Sequence, residues 1–221
     1  MDERLWGILM EALPRILYQG CVMTLPLAVG SFLLAVVIAV ITALIQYAKV
    51  PVLKEIARFY VWIIRGTPLL VQLYVVFYGL PNLGILLPAV PSALLVLALN
   101  EGAYCAEAMR GALDSVPVGQ LEAGACVGLS WVQTMWHVVL PQAFRVAFPS
   151  LGNGLISLVK DTSLAMTITV PEMFMSTIRI AGRTYEYLAL YIEVALVYLL
   201  ICTVLTKVQH IIEKRLSRYA I

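Results

Sequence analysis

Two clusters of polar residues, each set in an apolar stretch, carry the side chains that a zwitterion would need. One contains Asn100 and Glu101, and the other runs from Lys160 to Ser163. A carboxylate on a ligand needs a cation or several donors, and an ammonium group on a ligand needs a carboxylate and further acceptors. Ionisable groups inside a membrane span cost roughly 2.5–3.5 kcal/mol each on insertion scales, so their presence there indicates a function. The residues that we predict to bind substrate are Thr67, Gln72, Asn100, Glu101, Lys160, Asp161, Thr162 and Ser163.

The two clusters are expected at the same depth in the membrane. With the inner boundary near Pro149, a rise of ~1.5 Å per residue places Lys160 about 16 Å into a core about 30 Å thick. Counted from Pro91 by the same rise, Asn100 and Glu101 reach a similar level. The alternative is a Lys160–Asp161 pair that only neutralises itself. Adjacent residues in a helix point about 100° apart, so that pair needs a broken helix.

Several other polar residues have a structural explanation beside the functional one. Arg65 is expected to face the transport path, a subunit seam or the cytoplasm, and Gln72 is as well explained by a buried, satisfied amide. Glu107 and Arg110 are three residues apart, which predicts an ion pair along one helix. Glu193 lies near the start of the last apolar stretch and is expected at the interface. The roles of Glu101, Arg65 and Glu193 remain open at this stage.

The composition is that of a polytopic membrane protein. Of 221 residues, 62% are hydrophobic and 13% are charged, against about 25% charged in soluble domains. The four cysteines are scattered, so no metal site is expected. The chain contains no G-x-x-x-x-G-K-[ST] sequence and only two histidines, so neither an ATP site nor catalysis is expected in it.

Apolar runs and their breaks predict an all-α chain that forms one domain over residues 1–221. An interfacial helix is expected over residues 1–18, because this segment is too short to span. Proline and glycine clusters separate the following runs, and residues 171–185 are expected to form a polar loop. The predicted spans cover about 21–46, 59–80, 92–110, 149–170 and 186–207, with a connecting loop at 112–141.

The distribution of basic residues predicts the orientation. The side expected to be cytoplasmic collects Lys49, Lys54, Arg58, Arg110, Arg145, Lys207, Lys214, Arg215 and Arg218. The other side collects Arg4, Arg15, Arg179 and Arg183. By the positive-inside rule the N-terminus is outside, the C-terminus is inside, and the loop at 112–141 is cytoplasmic.

This loop carries a recognisable sequence, EAGACVGLSWVQTMWHVVLP, over residues 122–141. It resembles the cytoplasmic coupling loop of bacterial ATP-binding-cassette (ABC) importer permeases, the EAA…G…LP pattern. The matching residues are Glu122, Ala123, Gly124, Gly128, Leu140 and Pro141. A face of small residues would let a short helix sit close in a partner's cleft. Pro141 is expected to stop one helix and start the next.

Further segments are similar to the polar amino acid branch of these permeases, the histidine, glutamine, arginine and cystine type. They are FYVWIIRGTPLLVQLYVVFYGLP (59–81), LNEGAYCAEAMRGALDSVPVGQLEAG (99–124) and SLVKDTSLAMTITVPEMF (157–174). The resemblance implies a type I importer permease in a bacterial cytoplasmic membrane, with five transmembrane helices and a cytoplasmic coupling helix. It also implies a second permease copy or a sister chain, two ATPase subunits that bind ATP and Mg²⁺, and an extracytoplasmic binding protein.

The substrate favoured by the resemblance is cystine, with glutamine or a basic amino acid next. Glu101 departs from the family pattern, in which a small or hydroxylated residue is usual, so the pocket chemistry is open at this point. Two other classes of function were weighed. A carrier driven by an ion gradient commonly has repeated halves, which this chain lacks. A membrane scaffold would leave the charges at mid-membrane without a purpose.

Overall fold

The computed structural model describes residues 3–48 and 51–217, which are helical and contain no strand in these ranges. The helices are α1 Glu3–Gln19, α2 Leu25–Ala48, α3 Pro51–Arg65, α4 Leu69–Tyr74, α5 Ala89–Asp114, α6 Val118–Cys126, α7 Trp131–Thr134, α8 Leu140–Asp161, α9 Met173–Thr184 and α10 Tyr187–Ser217. Shorter π-helical turns cover Gly20–Thr24, Val75–Gly79 and Met135–Val139, and 3₁₀ turns cover Leu80–Leu83 and Thr162–Ile168.

The first helix is longer than the sequence suggested. α1 and α2 are joined by the π-helical turn Gly20–Thr24, so Glu3–Tyr47 forms one unbroken helix of 45 residues. The separate helix expected over residues 1–18 is therefore the N-terminal part of this long helix. The wide turn lies against α9: the Thr24 hydroxyl accepts a hydrogen bond from the Met173 backbone N–H at 3.1 Å. A Cβ on Gly20 would lie 3.3 Å from the sulfur of Met173.

The expected second span, 59–80, is broken in the structure. α3 and the helical segment Leu69–Leu83 meet at an angle of 104°. Pro68 is extended (φ −64°, ψ 137°) at the start of α4, and a residue that precedes proline is disfavoured in the helical region. The Thr67 hydroxyl donates to the Ile63 carbonyl at 2.8 Å, which closes the end of α3.

A face of small residues brings α2 and α5 close together. On α2, Ala35, Ala39 and Ala43 are at most 1% exposed, and on α5 a Cβ at Gly102 would lie 3.0 Å from Ile38. Small side chains let two helical backbones approach closely in a membrane. α5 also packs against α8, so it lies at the centre of the bundle and holds the polar residues of the site.

The region after Asp161 differs from the expected span and loop. α8 ends at Asp161, and 3₁₀ turns continue to Ile168. The expected polar loop at 171–185 contains α9, whose buried face is formed by Met173, Thr177 and Ala181. These residues are four apart, so they form one face of an amphipathic helix. That buried face is too narrow for α9 to be recognised in a polar segment of the sequence.

By length and composition, three helices within the described residues can cross a membrane: Glu3–Tyr47, Ala89–Asp114 and Tyr187–Leu216. The bent pair Pro51–Arg65 and Leu69–Leu83 makes a fourth if it is counted as one span. α8, with its polar residues and Pro149, is not among them. The expected count of five spans is therefore not established by this criterion.

Candidate functional site

A cavity of about 520 Å³ lies where the break after α3 meets α5 and α8. Its lining includes the expected residues Thr67, Asn100, Glu101 and Asp161. The structure thus brings together residues that are up to 94 positions apart in the chain. We predicted that the two polar clusters lie at the same depth. Three of their members, Asn100, Glu101 and Asp161, line the same cavity.

Other lining residues were missed by the sequence argument. They are Tyr104 and Cys105 on α5, and Ser150, Asn153, Gly154 and Ser157 on α8. With Asp161, the α8 residues recur at steps of three and four, so they share one helical face. This small, polar stripe was visible in the sequence as Ser150, Asn153, Ser157 and Asp161, and it could have revealed the face of α8 that borders the cavity.

Gln72 stands behind the cavity wall. Its Oε1 accepts a hydrogen bond from Asn100 Nδ2 at 3.0 Å. Its Nε2 donates to the Thr67 hydroxyl at 2.9 Å and to the Ile64 carbonyl at 2.8 Å. The amide therefore ties α5 to the broken end of α3 and orients two residues of the lining, while it is not itself part of that lining.

Glu101 is 8% exposed and faces α8 across the cavity wall. Its Oε1 accepts a hydrogen bond from the Cys105 thiol at 3.2 Å. A Cβ on Gly154 would overlap this carboxylate oxygen, so a larger residue there would require the Glu101 side chain to move. Within the described ranges, neither Glu101 nor Asp161 makes an ion pair with a cation.

The other members of the second cluster lie elsewhere. Lys160 is exposed and does not line the cavity, and no ion pair joins it to Asp161 in the described part of the chain. The Thr162 hydroxyl is fully buried and donates to the Val159 carbonyl at 2.7 Å. Ser163 is half-buried and outside the lining. The helix changes to 3₁₀ turns at Thr162, which alters the directions in which Thr162 and Ser163 point. Lys160 is still within α8, where it points about 100° away from Asp161.

A chain of charges lies beside the cavity along α5. Glu107 accepts two hydrogen bonds from Arg110, at 3.0 and 3.1 Å, so the predicted pair is confirmed. Arg65 at the end of α3 reaches the same carboxylate at 3.5 Å and stacks over the ring of Tyr104 at 5.3 Å from its centroid. Arg110 also binds Asp114 at 2.8 Å. Arg65 therefore joins α3 to α5 through an ion pair and an aromatic contact.

Glu193, whose role the sequence left open, is half-buried on α10. Its Oε2 is buried and has no hydrogen-bond partner within the described residues.

The expected coupling residues form a helical hairpin of α6 and α7. Glu122 and Ala123 are exposed on α6. Gly124 faces the other way: a Cβ there would lie 2.6 Å from both Cγ2 and Oγ1 of Thr134. The close approach predicted for the small residues was to a partner's cleft; within this chain, Gly124 instead packs against Thr134.

Gly128 has a different reason to be glycine. Its φ is +78°, and a Cβ there would meet nothing within 4 Å. Its N–H bonds to the Ala125 carbonyl, and the Leu129 N–H bonds to the Gly124 carbonyl, both at 3.0 Å. Such a left-handed residue ends a helix and satisfies its last carbonyls. Within this chain, the requirement at Gly128 is one of backbone conformation rather than of space.

The far end of the hairpin leads directly into α8. Ser130 begins α7 with a reciprocal cap: Gln133 N–H bonds to the serine hydroxyl, and Gln133 Oε1 accepts from the Ser130 N–H. The π-helical turn Met135–Val139 then passes into α8, with Leu140 and Pro141 in its first turn. Pro141 therefore does not separate two helices, because the preceding residues keep helical geometry and the missing N–H falls at the start of α8.

Comparison with known proteins identifies the family. The protein-family model for the inner membrane component of binding-protein-dependent transport systems matches residues 35–218 of the sequence. The chain belongs to this family. It is therefore the membrane component of an ABC importer rather than its ATPase, as the absence of a P-loop sequence predicts.

Curated relatives place the permease among the amino acid transporters of the family. It is 45% identical over 215 residues to the L-cystine transport system permease protein TcyB of Bacillus subtilis (strain 168), covering 97% of this chain and 92% of the relative. It is 39% identical over 209 residues to the probable amino-acid ABC transporter permease protein YckA of the same organism, covering 95% and 92%. The predicted resemblance to amino acid importer permeases is confirmed.

Solved structures agree with the fold. The crystal structure of an amino acid ABC transporter with histidines superposes with a TM-score of 0.88 at 30% identity, covering 97% of the permease and 100% of that chain. The MetNI methionine ABC transporter in an inward-facing conformation superposes with a TM-score of 0.73 at 18% identity, covering 98% and 99%. The all-α architecture is thus that of ABC importer permeases.

Proposed function

We propose that the permease carries a polar amino acid through the cavity bordered by α5 and α8, with cystine as the first candidate. The observation that carries this is the pair of carboxylates in the wall, Glu101 and Asp161, neither of which is paired with a cation in the described residues. Each would bind an ammonium group by charge-assisted hydrogen bonds. The volume of about 520 Å³ lies within the range of about 300–1,000 Å³ typical of small-ligand sites.

Cystine fits this arrangement because it has an ammonium group at each end. In the proposed pose, one ammonium group lies at each of the two carboxylates, and the Asn100 amide and the hydroxyls of Thr67 and Ser157 donate to the substrate carboxylates. The likeness to the cystine permease TcyB over nearly the whole chain supports the same substrate.

A basic amino acid is the second candidate, because two unpaired carboxylates would also suit one α-ammonium group and one cationic side chain. Glutamine comes third, since its side chain gives neither carboxylate a cation. Uptake of labelled cystine into proteoliposomes that contain the permease, its ATPase and its binding protein tests the order. Competition by excess arginine stronger than that by unlabelled cystine would replace the first candidate with the second.

The proposal includes the remaining parts of the complex. Two ATPase subunits would bind ATP and Mg²⁺, a second copy or a sister chain would complete the pathway, and an extracytoplasmic binding protein would deliver the substrate. The chain would lie in the bacterial cytoplasmic membrane with five spans, its N-terminus outside and its C-terminus inside, in keeping with its basic residues. A cysteine-reactive, membrane-impermeant label applied to intact cells tests the topology at single cysteines placed on α1 and α10.

In this assembly, the hairpin of α6 and α7 would meet the ATPase. The exposed side chains of Glu122, Ala123 and Ala125 would face the partner, with Gly124 and Gly128 shaping the hairpin and Leu140 and Pro141 joining it to α8. Cross-linking from a cysteine at Ala125 to the ATPase supports this contact. A cross-link that forms equally well from Thr184, at the far end of α9, would contradict it.

A further inference from the structure

We propose that a second cavity of the permease binds the phosphate-bearing headgroup of an anionic lipid, with an acyl chain in the apolar groove beside it. This basic cavity has a volume of about 870 Å³ and is bounded by α2, α3, α5 and α6. Its polar lining includes Gln46, Lys54, Arg58, Glu107, Arg110 and Asp114. It is separate from the cavity proposed for the substrate, because the two share no lining residue.

The cations of the basic cavity are not equally available to a ligand. Arg110 is already bound by Glu107 and Asp114, and Arg58 pairs with Glu55 at 2.9 Å on the exposed side of α3. Lys54 makes no ion pair within the described part of the chain. Lys54 and Arg58 are four residues apart, so they share one face of α3. An anion in the cavity would complete the charge balance at Lys54.

The side-chain amide of Gln46 gives independent support for a ligand in the basic cavity. The residue is 8% exposed and lines the basic cavity. Its Nε2 is buried and has no hydrogen-bond partner among the described residues. A buried donor without a partner is costly. Lysine and the glutamine amide nitrogen are both donors, so the group that satisfies both is an acceptor-rich anion such as a phosphate.

The apolar groove decides between a lipid and a free anion. It has a volume of about 280 Å³ and lies between α2, α5 and α8. Its lining contains only apolar side chains, among them Leu44, Met109, Leu113, Trp136 and Phe144. Leu113 lines both the groove and the basic cavity. On α2, Leu44 of the groove is two residues before Gln46 of the basic cavity.

A polar cavity with cationic lining that shares Leu113 with a wholly apolar groove suits a phospholipid, which has a charged headgroup and a long tail. Basic pockets between transmembrane helices on the cytoplasmic side bind the headgroups of anionic lipids. In the orientation proposed above, the basic cavity lies at the cytoplasmic leaflet. Because Val118 and Leu121 of α6 also line it, the bound lipid would touch the helix proposed to meet the ATPase.

Lipid retention tests the proposal. The permease in complex with its ATPase is reconstituted into phosphatidylcholine vesicles that contain phosphatidylglycerol, then extracted with detergent, and the retained phosphatidylglycerol is measured by mass spectrometry. We expect Lys54→Gln to weaken retention about 5-fold. Adding Arg58→Gln should weaken it further but by a smaller factor, because Arg58 is already paired with Glu55. The control is Lys207→Gln, which removes an exposed cation of α10 outside the cavity. Equal retention by the three variants and the wild type would overturn the proposal.

Two further measurements separate the sources of the anion. Inorganic phosphate alone should not stabilise the detergent-solubilised complex against heat, whereas phosphatidylglycerol should. Stabilisation by inorganic phosphate to the same degree would mean a free-anion site and would reject the lipid. A disulfide between a cysteine placed at position 54 and a cysteine placed on the ATPase would likewise reject it.

Two other variants keep the test informative. Gln46→Leu preserves size but removes the buried amide, and it should also lower phosphatidylglycerol retention. If the double variant does not assemble, the single change at the half-buried Lys54 decides the outcome by itself. A Leu44→Asn variant places an amide in the apolar groove, and it should lower retention of long-chain but not of short-chain phosphatidylglycerol. Loss of both would contradict the placement of the tail.

Discussion

The backbone of Gly154 lies so close to the Glu101 carboxylate that a Cβ at position 154 would overlap its Oε1. With the present position of the Glu101 carboxylate, α8 has room for glycine alone at position 154. The close approach of the α8 backbone leaves room for a carboxylate at position 101. The acid occupies the space that a side chain on α8 would otherwise fill.

The first prediction concerns this contact. Gly154→Ala forces Glu101 to move, and overpacking of a tight site costs about 1–3 kcal/mol. We expect substrate uptake to fall with little change in the amount of assembled complex. Gly111→Ala is the matched control, because a Cβ at this α5 position meets nothing within 4 Å. Normal uptake by Gly154→Ala would show that the position of the Glu101 carboxylate is unimportant for transport.

The second prediction separates Asp161 from its neighbour. Asp161→Asn keeps the shape but removes the charge, and the loss of a charge-assisted hydrogen bond is about 1.5–3 kcal/mol. The substrate concentration for half-maximal uptake should rise roughly 10- to 150-fold, measured at several levels of binding protein. Lys160→Gln should leave it unchanged, since Lys160 is exposed outside the cavity. An equal effect of both changes would point to a shared structural role.

The third prediction concerns the end of α6. Gly128 has φ +78°, and a left-handed conformation costs an L-residue with a Cβ about 1–2 kcal/mol. Gly128→Val should therefore uncouple ATP hydrolysis from uptake, while Gly128→Asn should retain most coupling because asparagine tolerates this region. The ratio of ATP hydrolysed to substrate transported is the measurement. If asparagine and valine act alike, side-chain volume rather than backbone geometry matters there.

The fourth prediction tests the contact within the hairpin. Gly124→Ala would place a Cβ 2.6 Å from two atoms of Thr134, which should reduce assembly with the ATPase. A second change, Thr134→Ala, removes both of those atoms and should restore part of the assembly. Co-purification of the two subunits gives the readout. No rescue in the double variant would mean that Gly124 faces the ATPase itself.

The sequence predicted the pairing of distant residues better than the direction of their side chains. Depth arithmetic placed Asn100, Glu101 and Asp161 at one level, and the structure gives them one cavity. The same estimate of depth also predicted that Lys160 borders the cavity, which is wrong. Depth alone does not show which face of a helix a residue occupies. Lys160 lies within α8 directly before Asp161, so its side chain points about 100° away from that of Asp161.

Gln72 and α9 show two other limits. Gln72 orients Asn100 and Thr67 across a 104° bend. The Gly66–Pro68 sequence indicates that a bend can form, but it does not predict the direction of the bend. The sequence did not predict α9, because its buried face has only three residues: Met173, Thr177 and Ala181. Helices of this kind gain their stability from tertiary packing rather than from propensity.

The unbroken helix Glu3–Tyr47 is long enough to reach two different parts of the bundle. Its 45 residues extend about 68 Å at ~1.5 Å per residue, more than twice a hydrocarbon core of about 30 Å. Its N-terminal arm packs against α9 and α10, and its C-terminal arm lies along α5. A single helix thus connects the α9–α10 side of the bundle to the helix that carries Asn100 and Glu101.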